Sequence, residues 1–391
     1  MNIGITTGGA DGGRSGIGSY AVNVMRQFAV LGSDHRFEVF GHRSEEAQLG
    51  RAATGLPGRI VHEGWRRPVL NVAWHQTMLP LAVRSRRYDV LFLPAANRRI
   101  PVHCGCPTVG TVHDLSSLHV AGKYDPAREL YIRRVLPALY RRLTHIITPS
   151  ESTRRDLIDH ALVPADRITV IPLAADHDLY YPRGRAASRQ FAADRYGLHA
   201  PFVLYTARIE HPGKNHVRLI EAFDEMKQRT GLPHDLVFVG PERERAAEVR
   251  AAARRARFAA HIKFLGFVPT ADLPLLYSAA DLVTLPSLYE GFGLPVLEAM
   301  ACGAAVACSN LSSLPEVAGR AAAQFDPCDV RGMARLLDTL LNDETRRAEL
   351  GALGRNQARR FSWDAVGRRT LEVLEAAAAR TTRNTTNRQN R

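Results

Sequence analysis

The chain has 391 residues, with 52 Lys and Arg against 39 Asp and Glu, and it is 45% apolar and 23% charged. At ~150 residues per domain this length predicts two or three domains, and the composition excludes a globally disordered protein. No run reaches the ~18 apolar residues of a membrane span, and the first residues predict a strand rather than a secretory signal. The five cysteines fit neither a disulfide framework nor a zinc site, which favours a reducing compartment.

The net charge of +13 favours anionic partners such as nucleotides, acidic lipids or nucleic acid. Residues 1–178 carry 22 basic and 16 acidic side chains, and the remainder carries 30 and 23, so both halves share the excess. This even spread argues against a dedicated nucleic-acid-binding module. Only four basic residues are lysines, so each lysine is conspicuous in a chain that otherwise uses arginine.

Short apolar runs alternate with segments of helical period along the first half of the chain. The predicted strands are Asn2–Thr7, Phe37–Gly41, Val90–Leu93, Thr108–Val112, His145–Thr148 and Ile168–Ile171. Between them the pattern predicts helices at Ser19–Leu31, Ala127–Leu143 and Ser152–His160.

The same alternation returns in the second half, after the polar stretch Pro172–Ala200, which we interpret as the join. The predicted strands are Phe202–Thr206, Leu236–Val239, Ile262–Leu265, Leu282–Leu285, Ala305–Ala307 and Ala323–Phe325. The predicted helices are Val217–Thr230, Arg243–Ala259, Leu294–Ala301 and Arg331–Leu341.

Two series of this kind predict an α/β protein with two doubly wound parallel sheets. Such sheets bind ligands at the carboxyl ends of their strands, so two sheets facing each other would form an active-site cleft. We assign residues 1–178 to an N-terminal domain and 179–362 to a C-terminal domain. Residues 363–380 are predicted to form a helix packing across the domains, and 381–391 a disordered tail.

The most informative stretch runs from Pro286 to Gly303 and contains Glu290 and Glu298, separated by seven residues. Gly291 and Gly293 allow the backbone to approach a ligand closely, and the following helix start favours an anion. Carboxylates are strong acceptors for hydroxyl groups, so one glutamate could hold a sugar and the other a ribose, with phosphate between them.

This stretch resembles the signature of the retaining GT-B glycosyltransferases of glycosyltransferase family 4, and the resemblance runs nearly the full length of the chain, with a bacterial, mannosyltransferase-like character. It implies two Rossmann-like domains facing a central cleft, a nucleotide-sugar donor bound mainly by the C-terminal one, and no metal or other cofactor. It also implies that Glu290 contacts the transferred sugar and Glu298 the ribose. The intervening donor-binding positions would be Gly291, Phe292, Gly293 and Leu294.

A second candidate site follows the first strand of the C-terminal domain, where Arg208 and Lys214 lie six residues apart across a Pro-Gly turn. Two cations at a strand end would neutralise a diphosphate, above all as it departs. The resemblance implies this same role for both. It also implies that Gly240, Phe267 and Val268 line the nucleobase pocket, largely through their backbone.

Two further candidates lie in the N-terminal domain. Residues 8–20 are glycine-rich but lack the Gly-x-Gly-x-x-Gly and Gly-Lys-Ser patterns, so a flexible loop without a ligand is the alternative reading. The resemblance implies backbone contacts from Gly16 and Gly18 to donor phosphate and acceptor. It also implies that His113 approaches the donor sugar and the reacting centre, with Asp114 orienting it or contacting the acceptor.

The predicted activity is that of a retaining, metal-independent hexosyltransferase (EC 2.4.1-type), which needs no cofactor beyond its nucleotide-sugar co-substrate. The first expectation for the donor is GDP-mannose, ahead of UDP-glucose and dTDP-rhamnose. The alternatives are a GT-B sugar-nucleotide epimerase or phosphorylase, a non-catalytic sugar binder and, from another class, a basic nucleic-acid-binding protein. We expect no nucleic-acid partner, because no known binding motif is present.

The expected acceptor is a glycan or lipid-linked glycan of cell-surface polysaccharide assembly. Arginine pairs flank apolar residues in 127–143, and Trp65-Arg66-Arg67 and Arg84-Ser85-Arg86-Arg87 add to the basic character. Such faces can bind anionic membranes, although a buried helix with a charged rim is the alternative. We therefore expect a cytoplasmic enzyme, with peripheral binding at the inner face of the cell membrane left open.

Overall fold

The computed structural model describes residues 1–10, 15–97, 99–120 and 129–389, with the backbone alone at 52, 68 and 381–389. The chain divides into two compact units. The first contains Met1–Leu115, Asp125–Leu173 and Trp363–Arg391, and the second contains Ser116–Tyr124 and Ala174–Ser362. The division between sheets therefore falls at residue 173, near the predicted 178, but the C-terminal helix groups with the first unit.

The first unit is built on a parallel sheet of seven strands in the order β3-β2-β1-β4-β5-β6-β7. The strands are β1 Asn2–Thr6, β2 Arg36–His42, β3 Gly58–Val61, β4 Val90–Leu93, β5 Thr108–Thr111, β6 His145–Thr148 and β7 Ile168–Val170. Six match the predicted strands. The sequence prediction missed β3, a four-residue edge strand with a glycine, an arginine and an exposed Ile60, because it lacks an apolar run.

The α-helices of the first unit, apart from the C-terminal one, are Gly16–Leu31, Glu46–Leu49, Arg51–Thr54, Pro68–Gln76, Met78–Arg86, Leu136–Tyr140 and Glu151–Ala161. The predicted helix 127–143 begins outside the described residues, and within them Leu136–Tyr140 follows a π-helical turn, Tyr131–Val135. Pro137 has no N–H to donate one turn back, and the Leu136 N–H instead reaches the Tyr131 carbonyl. This bond pattern explains the irregular start of the helix.

The second unit is built on a parallel sheet of six strands in the order β10-β9-β8-β11-β12-β13. The strands are β8 Phe202–Thr206, β9 Asp235–Val239, β10 Ile262–Gly266, β11 Leu282–Leu285, β12 Val306–Ser309 and β13 Ala323–Phe325. All six were predicted from the sequence. Continuous burial along β8, β9, β11 and β12 explains their unbroken apolar runs.

The α-helices of the second unit are Ser116–His119, Arg185–Tyr196, His216–Thr230, Ala246–Arg255, Leu273–Ala279, Leu294–Ala301, Leu314–Ala318, Val330–Asn342 and Glu344–Ala358. The predicted join Pro172–Ala200 thus contains a helix, which buries Ser188 and Ala192 and ends at Gly197 in the left-handed region. The segment is polar because only a narrow face of this helix is buried. A helix of this kind and a polar linker have similar sequence patterns.

The C-terminal helix runs over Trp363–Gln389 and packs against the helix Gly16–Leu31 and strands β4 to β6. It therefore groups with the first unit. The sequence predicted a helix that packs across the domains and ends near residue 380, and the end is wrong, because the helix continues to Gln389. The backbone is helical where the disordered tail was predicted, up to Gln389. No glycine or proline follows Gly367, so nothing in the sequence interrupts the helix.

Both sheets have the doubly wound topology, in which the strand order reverses next to the first strand. In the second unit the reversal lies between β8 and β11, which are paired neighbours. The loops that leave these two strands turn to opposite faces and open a crevice at the carboxyl edge, where such sheets bind ligands. No helix among the described residues is long and apolar enough to cross a membrane.

Candidate functional site

An ion pair joins the loops that follow β8 and β11. The Lys214 ammonium donates a hydrogen bond to Glu290 Oε1 over 2.7 Å, and both side chains are about 15% exposed. The Leu288 N–H donates to the Gly213 carbonyl, which ties the two loops together through the backbone as well. Lys214 and Glu290, predicted from segments 76 residues apart, therefore meet at the reversal point of the second sheet.

Two buried hydroxyls support this pair. Ser287 donates a hydrogen bond to Glu290 Oε1 over 2.7 Å. Tyr205, fully buried in β8, donates to the Lys214 carbonyl over 2.8 Å and lies 3.3 Å from the Ser287 hydroxyl. The sequence analysis found neither residue, because each lies in or beside an apolar strand.

The loop from Glu290 to Gly293 is held by a pair of serines after β12. The Glu290 N–H donates to Ser312, and the Ser313 hydroxyl contacts the carbonyls of Glu290 and Phe292. Gly293 has φ +103°, and a Cβ there would lie 2.5 Å from the side chain of Leu314, so glycine is required. The helix Leu294–Ala301 starts directly after it, with Pro295 in its first turn.

Glu298 lies one turn into that helix and faces two tyrosines. Tyr277 donates a hydrogen bond to Glu298 Oε2 over 3.2 Å, and Tyr180 also bonds to the carboxylate. Burial raises the pKa of Glu298 to about 7, and the two tyrosine hydroxyls oppose this shift. Tyr277 is also 2.7 Å from Thr206, which places Glu298 at the end of β8. Tyr180 and Tyr277 were not predicted as site residues.

Arg208 and Lys214 share the loop after β8. Glu210, nearly fully buried, lies 3.5 Å from the Arg208 guanidinium, and its other oxygen lies close to Gly213. The Arg208 side chain is half exposed at the carboxyl end of the sheet. The carboxylate of Glu210, which the sequence analysis did not identify, thus fixes the loop between the two predicted cations.

The predicted nucleobase residues lie at the ends of the neighbouring strands β9 and β10. The Gly240 N–H donates to the Gly266 carbonyl, and Phe267 and Val268 follow directly. Phe267 is 74% exposed, whereas Val268 is buried. Gly240 has φ +146°, and a Cβ would lie 2.0 Å from the Ala207 carbonyl oxygen, so only glycine lets the β8 loop pass this close. These positions share one sheet edge with Lys214 and Glu290.

Phe292 differs from the other predicted donor-binding residues because its side chain is buried. Its ring lies edge-on to Phe361, with centroids 6.0 Å apart, and its carbonyl accepts from Ser313. The side chain therefore packs the loop from inside. Only its backbone is available on the ligand side.

In the first unit, His113 follows β5 and is buried against Tyr20, with ring centroids 4.8 Å apart. Its Nε2 lies 2.7 Å from the Pro94 carbonyl, so Nε2 carries the proton and donates. Burial lowers the pKa of His113, which keeps the imidazole neutral. Asp114 follows it, and its carbonyl accepts from the Asn97 side chain.

Gly16 and Gly18 form the first turn of the helix Gly16–Leu31 rather than a loop. Ser15 is the N-cap, and its hydroxyl accepts from the Gly18 N–H over 3.3 Å. The preceding part of the predicted glycine-rich loop, residues 11–14, lies outside the described residues. The two glycines are thus at a helix start, where backbone N–H groups favour an anion.

The chain matches two family models, one in each half. Residues 14–179 match the family described as glycosyltransferase family 4, and residues 190–357 match glycosyl transferases group 1. The chain is 31% identical over 369 residues to the O-antigen chain mannosyltransferase B of Escherichia coli. The alignment covers 92% of this chain and 96% of that protein. It is also 37% identical to the serotype-specific mannosyltransferase WbdA of E. coli, covering 66% of this chain but 32% of WbdA.

Solved structures resemble the whole chain. The HepE protein of Anabaena, in complex with UDP-glucose, matches with a TM-score of 0.73 at 20% identity, and it covers 96% of this chain and all of its own. WaaG, a glycosyltransferase involved in lipopolysaccharide biosynthesis, matches with a TM-score of 0.70 at 15% identity and covers 96% of this chain and 99% of its own. The two doubly wound units therefore define a GT-B glycosyltransferase. Within that class, the chain belongs to glycosyltransferase family 4.

Proposed function

We propose that this enzyme transfers mannose from GDP-mannose to a hydroxyl of a growing cell-surface glycan, with retention and without a metal ion. The observation that carries the proposal is the Lys214–Glu290 pair at the reversal point of the second sheet, beside the helix start at Leu294. A cation and a hydroxyl acceptor held together there suit a sugar linked to a diphosphate.

The choice of sugar rests on the relatives. The first relative is an O-antigen chain mannosyltransferase that aligns along nearly all of both chains. A further relative, 28% identical over 249 residues, is an α-(1→4)-mannosyltransferase of Mycolicibacterium hassiacum. UDP-glucose and dTDP-rhamnose are the competing donors, and a panel of nucleotide sugars separates them.

In the proposed mechanism the principal contribution is stabilisation of the departing diphosphate by Lys214, Arg208 and the N–H groups of the helix start. Losing one such contact costs about 3 kcal/mol, or roughly 10²-fold in rate. Both donors to the Glu290 carboxylate among the described residues bind it at Oε1, which leaves Oε2 to accept from a sugar hydroxyl. The leaving phosphate then accepts the proton of the acceptor hydroxyl on the same face.

The test is transfer of labelled mannose from GDP-mannose to a lipid-linked glycan, with the anomeric configuration of the product read by NMR. We expect an α-linked product from the wild type and a transfer rate lower by roughly 10²-fold or more from Lys214→Ala. Lys263→Ala is the matched control, because the Lys263 ammonium donates to the Ala260 carbonyl near the opposite end of β10. Transfer from UDP-glucose alone would overturn the donor, and isomerised or phosphorolysed sugar without transfer would overturn the reaction.

We further propose that the first unit meets its lipid-linked acceptor at an anionic membrane surface. Exposed apolar side chains lie on two consecutive helices, on the loop before β5 and around the π-helical turn: Val69, Leu70, Met78, Leu81, Val102, Leu130 and Val135. Arginines 66, 67, 84, 86, 133, 134 and 142 lie in the same segments or directly beside them. Apolar and basic groups together bind interfaces of acidic lipid.

Hydrogen bonds support treating these segments as one surface. The Gln76 side chain contacts the backbone of Ile100 and Val102, which fastens the loop to the end of the helix Pro68–Gln76. Arg142 reaches the Val102 carbonyl over 3.4 Å from the other side. The loop thus bridges the two arginine-flanked helical regions.

Sedimentation with vesicles of phosphatidylglycerol and phosphatidylcholine tests this surface. We expect binding at low salt, loss at high salt, and none to phosphatidylcholine alone, because each cation contributes ~1 kcal/mol near an anionic surface. Val69→Ser should weaken binding, whereas Val30→Ser should not, although the two valines are 79% and 76% exposed. No sedimentation of the wild type at low salt would refute the membrane proposal and leave the transfer reaction standing.

A further inference from the structure

Two side chains of the described residues donate to the Glu290 carboxylate, and both donate to the same oxygen. Lys214 and Ser287 each lie 2.7 Å from Oε1. A carboxylate oxygen has two lone pairs in the plane of the group, so these bonds fill the acceptor capacity of Oε1. The capacity that remains for a substrate lies on Oε2. These two bonds therefore fix the plane of the Glu290 carboxylate.

Ser287 packs against a second buried hydroxyl. It is fully buried two residues after β11, and its hydroxyl lies 3.3 Å from that of Tyr205 in the neighbouring strand β8. The Tyr205 hydroxyl donates its hydrogen bond to the Lys214 carbonyl. Three hydrogen bonds and this hydroxyl contact thus join four residues from two adjacent strands and the loops that follow them: Tyr205, Lys214, Glu290 and Ser287.

We propose that Ser287 and Tyr205 are positioning residues that fix Glu290 and Lys214, so that Glu290 Oε2 accepts from a hydroxyl of the transferred sugar while Lys214 points at the diphosphate. This inference rests on the proposed function for the roles of Glu290 and Lys214. Neither positioning residue touches substrate. Ser287 keeps the carboxylate from rotating about its last torsion, and Tyr205 fixes the backbone from which the lysine extends.

This arrangement predicts that loss of the Ser287 hydroxyl impairs recognition of the transferred sugar but not binding of the nucleotide. Without the Ser287 hydroxyl, Lys214 alone holds Oε1, and the carboxylate samples orientations in which neither oxygen faces the sugar. Ser287→Ala should therefore lower kcat at least tenfold, as expected for one lost hydrogen bond that acts in the transition state. The affinity for GDP, which lacks the transferred mannosyl group, should stay within twofold of the wild type.

The matched control is Thr284→Val, three residues earlier in the chain. The Thr284 hydroxyl is buried in β11 and has no hydrogen-bond partner among the described residues. This change also removes a buried hydroxyl from the same strand region, so it should leave kcat and GDP binding unchanged. Thermal unfolding of both variants separates loss of fold from loss of positioning.

Tyr205→Phe completes the test, with Tyr196→Phe as its control, because Tyr196 ends the helix Arg185–Tyr196 and donates to Asp272. We expect Tyr205→Phe to lower kcat, and its combination with Ser287→Ala to cost less than the product of the two single effects. If Ser287→Ala retains wild-type kcat, or weakens GDP binding as much as it lowers kcat, the inference is wrong. If the wild type transfers sugar from no donor, the proposed function itself fails.

Discussion

Tyr277 donates a hydrogen bond to Glu298 Oε2 over 3.2 Å, and the carboxyl group that it contacts has its pKa raised by burial to about 7. The carboxyl group predicted to hold the ribose thus changes charge close to neutral pH. An ionised carboxylate accepts hydrogen bonds from hydroxyl groups more strongly than a protonated one. The ribose role proposed for Glu298 therefore predicts that nucleotide binding is linked to proton release from this carboxyl group.

The first prediction concerns nucleotide binding. The affinity for GDP should increase as the pH rises from 6 to 8, because the ribose hydroxyls favour the ionised form of Glu298. Calorimetry at pH 7 in buffers of different ionisation enthalpy should report net proton release. Glu298→Gln should bind more weakly and release fewer protons. Equal proton release from this variant and the wild type would assign the effect to another group.

The second prediction concerns stability, and it uses the same shift. The folded pKa of Glu298 lies above its ordinary value of 4.5, so folding favours the neutral form. The wild type should therefore lose stability relative to Glu298→Gln as the pH rises from about 4.5 through 7, by about 3 kcal/mol at most. Urea unfolding of both proteins at pH 5 and pH 8 measures this. A difference that is constant with pH would contradict it.

The third prediction concerns the ion pair. Lys214→Ala and Glu290→Ala should each lower turnover by roughly 10²-fold or more, because the contacts act on the departing diphosphate and the sugar. Lys214→Arg should not restore the rate, since a planar guanidinium cannot reproduce the geometry of a single ammonium. Circular dichroism should report an intact fold. A rate close to the wild type in either alanine variant would remove the pair from the mechanism.

The fourth prediction concerns Gly240. Alanine there would need φ +146° and would place Cβ 2.0 Å from the Ala207 carbonyl oxygen, so the β8 loop must shift. Gly240→Ala should lower the Tm and weaken nucleotide binding together. Gly184→Ala is the control, because a Cβ at that position meets no atom within 4 Å. Equal Tm values for the two variants would contradict the steric argument.

The fifth prediction concerns a buried carboxylate outside the site. Asp281, 5% exposed at the start of β11, accepts from Arg185 and Arg189 on the helix Arg185–Tyr196. Asp281→Asn should destabilise the protein by about 2 kcal/mol, less than the loss of a fully buried pair because both arginines are half exposed. The exposed pair of Arg346 and Glu349 gives the control, Glu349→Gln, which should cost about 0.5 kcal/mol or less.

Strands were most predictable where a sheet buries them on two faces. The four inner strands of the second sheet, β8, β9, β11 and β12, are buried along their length and produce apolar runs, whereas the edge strand β3 of the first sheet is half exposed and gives no such signal. Helices were harder to predict where the buried face is narrow. The sequence of the helix Arg185–Tyr196 is typical of a linker, because it consists mostly of arginine, alanine and other small or polar residues.

The site divides in the same way. Lys214, Glu290 and Glu298 were predictable because they lie in a recognisable motif or beside glycines and prolines. Tyr205 and Ser287 could not be found, since their importance comes from the hydroxyl bonds that they make to the Lys214 carbonyl and to Glu290, two groups that only the fold brings together. Tyr180 reaches Glu298 from the segment interpreted as the join. A one-dimensional pattern records which residues are apolar, but not which hydroxyl a strand directs at a neighbouring loop.

The C-terminal helix has a practical consequence for dissecting the enzyme. The helix Trp363–Gln389 packs on the helix Gly16–Leu31 of the first unit. A fragment truncated at Ser362 therefore loses part of the first unit, although the residues directly before the truncation belong to the second. A piece spanning 174–362 keeps the entire six-stranded sheet with Lys214, Glu290 and Glu298. The second unit can thus be expressed as nearly one continuous segment of the chain. The first unit would have to be joined from segments at both ends of the sequence.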